Sequence, residues 1–445
     1  MHDQHDDTAS GNDNGRKWKN HPFGATRALL VAFLASFALH TTAASSVWAF
    51  AYLSCVDPDQ CREDETRKYA GSVAASSAMA NTVGLLSLGY LKQGVQWNVR
   101  LSLTIWLLCR AVGVLGVFCG GQTLQGLASD NLFHFMLNSI YVHVSPASTS
   151  ALIGASLACY MSGMAIAPLI AGWLPSLYWT FLVAIGIFMV TILYVLLMIP
   201  PIPKEDKPAA EIISLRSSTS RKFISVSALL SPIRFFWTYP TTILFGLSLF
   251  LYNTVQGYFI NLIFIFTSVE FKFTPSDNGI FLSVIAITAA AYLICSSFLV
   301  PKLLTWVYRT TGHHRTVQVN SLRLFDLGAA ILSIMSQTGA VILLTQSRHV
   351  YLAASLTAIG LATPSFIKSF VVAQSENKSE AVAALAIMEA AGSLLSPLIL
   401  GPWQATHPGA SAFYIIIGIL FGSVGCLVLG GCAEKRGARD RGLES

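Results

Sequence analysis

Long apolar segments constrain this chain more than any other feature of its sequence. Twelve blocks of about 20 residues with few charges recur along its 445 residues. A helix of that length crosses a hydrocarbon layer of roughly 30 Å, and in lipid each spanning segment must pair its own backbone groups. Only 11% of the residues are charged, against about 25% in soluble proteins. The sequence therefore predicts an all-α, polytopic membrane protein.

The predicted spans are numbered 1 to 12 in chain order. Six of them precede a polar segment at 201–239, which we interpret as a linker, and six follow it, so that the halves cover 27–200 and 240–433. Residues 1–26 and 434–445 form tails, and span 1 is long enough to stay as a helix rather than be cleaved. The spans cover 27–54, 70–91, 99–119, 122–143, 149–173, 177–200, 240–267, 278–300, 324–346, 350–371, 380–402 and 409–432.

Basic residues predict the orientation of the bundle. Apart from Arg110 and Lys368, 21 of the Lys and Arg residues fall on the side that carries both termini and 5 on the other side. The positive-inside rule then places both termini in the cytosol. Since this asymmetry accounts for the net charge of +6, no nucleic-acid partner is needed.

Cysteine positions agree with that orientation. Cys55 and Cys61 flank an acidic turn on the predicted outer face, where a disulfide would persist if it forms. Whether these two residues form a disulfide is left open. The other six cysteines lie in or beside helices and are interpreted as small apolar residues.

An identical Gly-x4-Pro-x3-Gly pattern occurs in the fifth span of each half. Span 5 carries it at Gly163, Pro168 and Gly172, and span 11 repeats the same spacing. Small residues let membrane helices approach closely, so we expect these positions to serve helix packing or gating. The matched location also predicts two related, pseudo-symmetric six-helix bundles. The span 11 residues are Gly392, Pro397 and Gly401.

Charged side chains at bilayer depth need a partner or a function, because their insertion costs at least about 2.5 kcal/mol each. Asp130, His134 and Asn138 of span 4 are spaced i, i+4, i+8 and share one helical face. A carboxylate and an imidazole within hydrogen-bonding reach can exchange a proton near neutral pH. The alternatives are a static polar contact between helices and a location of Asp130 near the outer surface.

Three further charged residues within the spans need an interpretation. Arg110 of span 3 cannot lose its proton and must meet a carboxylate, carbonyls or water, with Asp130 as one partner. Its role is a structural ion pair or contact with an anionic substrate. Glu389 of span 11 is interpreted as a packing or gating residue, and Lys368 of span 10 as a side chain that extends to the membrane interface.

Neutral polar residues complete the candidate site. Span 1 offers His40, and span 7 offers Tyr252, Asn253 and Gln256; aromatic walls with a few polar groups suit a partly polar organic molecule. The sequence has no phosphate-binding Gly-x4-Gly-Lys motif, no metal-spaced His/Cys cluster and no soluble catalytic domain. We therefore expect no enzymatic activity, no cofactor and no metal.

Several segments resemble the major facilitator superfamily, in its twelve-helix fungal drug and metabolite exporter branch. The antiporter-associated Gly-x-x-x-Gly-Pro-x-x-Gly-Gly element of that family is partly kept from Gly163 to Gly172. The loop from Gly89 to Gln96 lacks the Asp and the first Arg of Gly-x-x-x-Asp-Arg-x-Gly-Arg-Lys. The segment from Asn138 to Pro146 is similar to Asn-Ala-Tyr-x-x-Asp-x-x-Pro without its acidic residue. The likeness is thus in layout more than in signature.

This resemblance implies a secondary transporter whose halves rock about a midplane site, with spans 1, 4, 7 and 10 lining the cavity. Asp130 and His134 would border the substrate route as the proton-coupling pair, and the other polar residues would contact substrate. The implied function is proton-coupled export of a toxin, drug or secondary metabolite by a monomer in the plasma membrane, or in a vacuolar or other organelle membrane. An importer or organellar carrier, and a sensor that no longer moves solute, are the alternatives.

Overall fold

The structure, a computed structural model, is helical almost throughout. It describes residues 23–58, 61–116, 119–144, 149–174, 176–199, 234–300, 302–303, 315–346, 349–375, 378–407 and 409–443, and it contains no β-strand within those ranges. The all-α prediction is therefore confirmed.

In the N-terminal half the helices are Phe23–Thr41, Ala43–Ser54, Glu63–Trp97, Val99–Leu115, Cys119–Leu127, Asp130–Val144, Thr149–Gly172 and Leu177–Met198. In the C-terminal half they are Arg234–Thr238, Thr242–Glu270, Pro275–Ile294, a π-helical turn Cys295–Leu299, Arg315–Thr345, Val350–Gly360, Thr363–Gln374, Lys378–Thr406 and Ser411–Leu443.

Nine of these helical stretches are long and apolar enough to cross a bilayer, counted over the described residues. They coincide with predicted spans 1 and 5 to 12, so the chain is a multi-pass membrane protein. Span 2 falls in a 35-residue helix whose first turn is acidic, and the span 3 helix has 17 residues. Span 4 consists of two shorter helices. A total of twelve spans is consistent with this architecture and stays a prediction for spans 2 to 4.

Spans 1, 4 and 10 are interrupted, although we expected continuous helices. The breaks lie after Thr41, at 128–129 and at 361–362. In span 10 the next helix begins at Thr363 with a proline in its first turn, where a missing N–H is harmless. The carbonyl group of Gly360, at the same break, accepts hydrogen bonds from Tyr252 Oη at 2.6 Å and Thr363 Oγ1 at 2.7 Å. Side chains of neighbouring residues thus pair the backbone groups that the break releases.

The repeated glycines perform matching tasks in the two halves. An added Cβ on Gly163 of span 5 would lie 2.5 Å from the Phe33 carbonyl oxygen of span 1. In the other half, a Cβ on Gly392 of span 11 would lie 3.0 Å from the Thr254 backbone nitrogen of span 7. In both halves the fifth helix therefore approaches the first at a distance that only glycine permits.

The other members of the pattern face the opposite half. Gly172 of span 5 meets Ser276 of span 8, and Gly401 of span 11 meets Ala74 of span 2. Pro168 likewise lies against a glycine of span 8. Because the fifth helix of each half contacts the second helix of the other, the two six-helix bundles are related by approximate twofold symmetry.

One side of the bundle carries a loop closed by a disulfide. Cys55 and Cys61 are joined, with their Cα atoms 5.3 Å apart. The carboxylate of Glu65 accepts hydrogen bonds from the backbone N–H groups of Arg62 at 3.0 Å and Val56 at 3.4 Å. We call this the disulfide side. Here the ends of spans 1 and 2 join the hydrophobic core of the C-terminal half, while a separate core holds most of the N-terminal half.

The predicted tails and linker are described only in part. Residues 1–22 and 200–233 lie outside the described residues. These ranges include most of the predicted N-terminal tail and most of the predicted linker. The end of that linker forms the short helix Arg234–Thr238, whose Phe235 and Phe236 are buried. At the other end, the span 12 helix continues to Leu443 through the residues predicted as a tail.

Candidate substrate and proton-coupling site

Arg110 and Asp130 form an ion pair between spans 3 and 4. Nη2 of Arg110 lies 2.6 Å from Oδ1 of Asp130, and its Nε donates to the Ala128 carbonyl group at 2.6 Å. The guanidinium group also lies 5.2 Å from the centroid of the Trp106 ring. The break in span 4 supports this geometry, because Asp130 begins a new helix, where a carboxylate is favoured.

The two members of this pair differ in exposure. The Arg110 side chain is 12% exposed and that of Asp130 is 51% exposed. Three interactions occupy the guanidinium group, whereas about half of the Asp130 side-chain surface is accessible. The pair therefore presents its negative end to a ligand.

Tyr160 of span 5 lies between two histidines. Its ring centroid is 4.9 Å from that of His134 and 5.6 Å from that of His40. Nδ1 of His40 is 2.8 Å from the Ser36 carbonyl oxygen, and Ser36 Oγ donates to the Tyr160 carbonyl group at 2.5 Å. Asp130 lies within electrostatic range of both imidazoles and of the Tyr160 hydroxyl group. A tyrosine thus connects the two histidines that the sequence places in separate spans.

Asp130 and His134 occupy neighbouring but different environments. Asp130 accepts a hydrogen bond from Arg110 and lies beside the Tyr160 hydroxyl group, and His134 packs against the rings of Phe133 and Tyr160. We expected the carboxylate and the imidazole to face each other directly. Within the described contacts, they interact through charge rather than through a shared hydrogen bond.

A cavity of about 260 Å³ adjoins the Arg110–Asp130 pair. It lies between spans 2, 3 and 4 of one half and spans 7 and 11 of the other, so both halves contribute to its wall. Asn81 crosses the boundary by donating to the Ser393 carbonyl group at 2.8 Å. The lining residues are Ala80, Asn81, Gly84, Leu85, Arg110, Gln125, Gly126, Ser129, Asp130, Gly257, Ala390 and Ser393.

The C-terminal half contributes a second ion pair. Nζ of Lys368 in span 10 lies 2.5 Å from Oε2 of Glu389 in span 11. The expectation that Lys368 extends to the membrane interface is therefore wrong, because a carboxylate inside the bundle holds its ammonium group. The Lys368 side chain is 32% exposed and that of Glu389 is 13% exposed. Both lie within electrostatic range of His134.

The polar residues of span 7 hold the interrupted span 10 in place. Gln256 donates to Tyr252 Oη at 2.7 Å, and the Tyr252 hydroxyl group donates to the Gly360 carbonyl group. Asn253 donates to the Leu249 carbonyl group of its own helix at 2.9 Å. These side chains, predicted to contact substrate, thus have intramolecular partners. Asn138 is half-buried, two turns after Asp130.

His40, the span 1 candidate, borders a second cavity. His40, Thr41 and Ser45 line a space of about 200 Å³ between spans 1, 5, 6 and 8. Pro168 and Gly172 line it as well. The structure thus divides the predicted site residues between two cavities, with Arg110 and Asp130 at the first and His40 at the second.

Sequence reasoning missed Tyr160, Asn81 and the pairing of Lys368. A tyrosine within an apolar span looks like ordinary membrane-helix background, so Tyr160 gave no signal. Lys368 did give one, because any charge within a span calls for a partner. The described residues hold no group of three or more His, Cys, Asp or Glu suited to a metal ion.

Two helical halves, a shared cavity and charged groups at its wall define a membrane transport protein. A family model described as Major Facilitator Superfamily matches residues 28–397, and the chain belongs to that superfamily. It is a transporter and not an enzyme. No curated protein matches the sequence.

Solved structures of transporters share the fold. The nucleoside transporter NupG superposes with a TM-score of 0.61 at 11% identity, covering 91% of this chain and 99% of NupG. A D-xylose-proton symporter gives 0.60 at 12% identity, with 91% and 97% coverage. The human organic anion transporter MFSD10 gives 0.58 at 14% identity, with 91% and 98% coverage. At such identities the likeness establishes the fold alone.

Proposed function

We propose that the protein exports a small organic compound, such as a toxin, drug or secondary metabolite, in exchange for protons. Its halves would alternate between two orientations about the cavity beside Arg110 and Asp130. The single observation that carries this proposal is the half-exposed Asp130 carboxylate in the wall of a cavity built by both halves.

The proposed coupling element is Asp130 together with His134. The charged and titratable groups around them are Arg110, His40, Tyr160 and the Lys368–Glu389 pair. A proton on Asp130 would cancel its attraction for Arg110 and free the guanidinium group to move. His134 senses the charges of both halves, so its protonation would respond to their relative position.

Exchange follows from competition at one group. A substrate donor and a proton cannot both occupy the exposed oxygen of Asp130, so each displaces the other. The partly kept antiporter element in span 5 agrees with this direction. An importer would require the substrate and the proton to bind together.

We also propose the plasma membrane as the site of action, with both termini in the cytosol and the disulfide side outside. The charge asymmetry of the loops supports this orientation. The disulfide between Cys55 and Cys61 fits an oxidising compartment on that side.

The test is a flux measurement in vesicles that contain the purified protein. With an imposed pH gradient and a pH-sensitive dye inside, candidate compounds are added one at a time. The proposal predicts proton movement that depends on compound and is opposite in direction to compound movement. Movement in the same direction would identify an importer, and ligand binding without any flux would identify a sensor.

A further inference from the structure

The two ion pairs expose opposite ends. In the N-terminal half the more exposed member is the anion, with Asp130 at 51% against 12% for Arg110. In the C-terminal half it is the cation, with Lys368 at 32% against 13% for Glu389. The N-terminal half therefore exposes a carboxylate, and the C-terminal half exposes an ammonium group.

Helix spacing relates the second ion pair to the cavity beside Asp130. Asp130 lines the 260 Å³ cavity, and so does Ser393 of span 11. Glu389 precedes Ser393 by four residues on the same helix, so the two share a face one turn apart. His134 is within electrostatic range of Asp130, Lys368 and Glu389, so members of both pairs act on one imidazole.

The buried members already have partners within the protein. Arg110 bonds to Asp130 and Ala128, and Glu389 bonds to Lys368. A ligand need not break these contacts, because it can add to the exposed oxygen of one pair and the exposed ammonium hydrogens of the other. A charge-assisted hydrogen bond at each end is stronger than a neutral one.

From this arrangement we infer that the substrate is a zwitterion, with a basic amine that binds Asp130 and an acidic group that binds Lys368. This inference deepens the proposed function and rests on it. The four protein charges sum to zero, so a ligand without net charge leaves the cavity neutral. A purely cationic or anionic ligand would bring a net charge into a low-dielectric space, which is costly.

The test compares four probes of equal length with the full chain in lipid nanodiscs. Aminohexanoate carries both charges, hexylamine carries only the amine, hexanoate carries only the acid and hexanamide carries neither. Shorter and longer ω-amino acids cover other charge separations. Binding is measured by calorimetry. At the best chain length, the zwitterion should bind about tenfold or more tighter than each partner with one charge.

Neutralised pairs assign each end of the ligand. Arg110→Gln with Asp130→Asn should remove the advantage of the zwitterion over the acid, and Lys368→Gln with Glu389→Gln should remove its advantage over the amine. Changing both members avoids an unpaired buried charge that would disturb folding. The matched control neutralises Arg67 and Glu63, an exposed pair at 2.7 Å, and should leave all affinities unchanged.

The inference is overturned if hexylamine, hexanoate or hexanamide binds as tightly as the zwitterions, or if folded protein binds none of the ω-amino acids. Thermal unfolding of each variant verifies that it is folded. Failure of the proposed function is distinguishable, because zwitterion binding without proton flux would refute transport and leave the ligand class standing. Proton flux driven only by probes with one charge would support transport and refute the zwitterion as the ligand class.

Discussion

The ion pair between Arg110 and Asp130 should stabilise the fold far more than a surface pair, and a double-mutant cycle measures the difference. The variants are Arg110→Gln, Asp130→Asn and the double replacement. Breaking a fully buried pair costs about 3 to 5 kcal/mol, whereas an exposed pair contributes about 0.2 to 1 kcal/mol. With Arg110 at 12% and Asp130 at 51% exposure, we expect a coupling energy between these limits, about 2 kcal/mol.

The cycle is needed because each single replacement removes more than the pair. Arg110→Gln also loses the hydrogen bond to Ala128 and the contact with the Trp106 ring. Those losses appear both in the single and in the double variant, so they cancel from the coupling energy. Asp130→Asn keeps the shape of the side chain and removes only its charge.

The assay is reversible unfolding in mixed lipid and detergent micelles, followed by tryptophan fluorescence. The control cycle uses Arg67 and Glu63, which are 54% and 70% exposed and should couple by about 0.3 to 0.5 kcal/mol. A coupling energy for Arg110 and Asp130 no larger than that of the control would refute the assignment of a partly buried ion pair at the cavity.

Other regions give independent tests. Gly163→Leu should lower the free energy of unfolding by about 1 to 3 kcal/mol, because its Cβ would meet the span 1 backbone. The control is Gly186→Leu, which has open space at its Cβ. It should have little effect in the same unfolding assay. An impermeant maleimide added to whole cells should modify Cys55 and Cys61 only after reduction, as read by peptide mass mapping; modification without reductant would contradict the disulfide. His134→Gln should lower substrate-driven proton flux by about tenfold or more while unfolding stays cooperative, and unchanged flux would remove His134 from the coupling element.

The arrangement of helices was predictable because lipid leaves the backbone few choices. Apolar blocks of spanning length had to be helical, and the Gly-x4-Pro-x3-Gly repeat indicated two related halves before any contact was known. The ends of the helices were less predictable. Span 2 begins at Glu63 and span 12 continues to Leu443, since a helix can extend into polar residues once it leaves the bilayer.

The apolar pattern of the sequence did not predict the interruptions of the helices. Only span 10 carries a proline beside its break, while span 4 breaks at Ala128 and Ser129 without one. There the tertiary structure stabilises the break, because Arg110 of span 3 donates to the Ala128 carbonyl group and Trp106 donates to the Ser129 carbonyl group at 3.0 Å. Contacts made by a neighbouring helix cannot be deduced from the apolar pattern of span 4.

The site was predictable to the extent that charge is rare within the spans. Arg110 and Asp130 were recognised as possible partners because neither is stable alone in lipid. Lys368 was misassigned because its position near the end of a span suited an interfacial side chain, and only packing of spans 10 and 11 brings Glu389 to its ammonium group. The role of Tyr160 depends entirely on how spans 1, 4 and 5 meet.

Substrate exchange and proton flux, both measured with the Asp130→Asn variant, test the central claim most directly. In vesicles at equal pH on both sides, the variant should still exchange labelled compound for unlabelled compound, because the cavity and its other groups remain. A higher compound concentration offsets the affinity lost with the Asp130 charge. With an imposed pH gradient, compound should no longer drive proton movement, since the group for which proton and substrate compete has lost its charge. Proton movement equal to that of the unmodified protein would contradict the account.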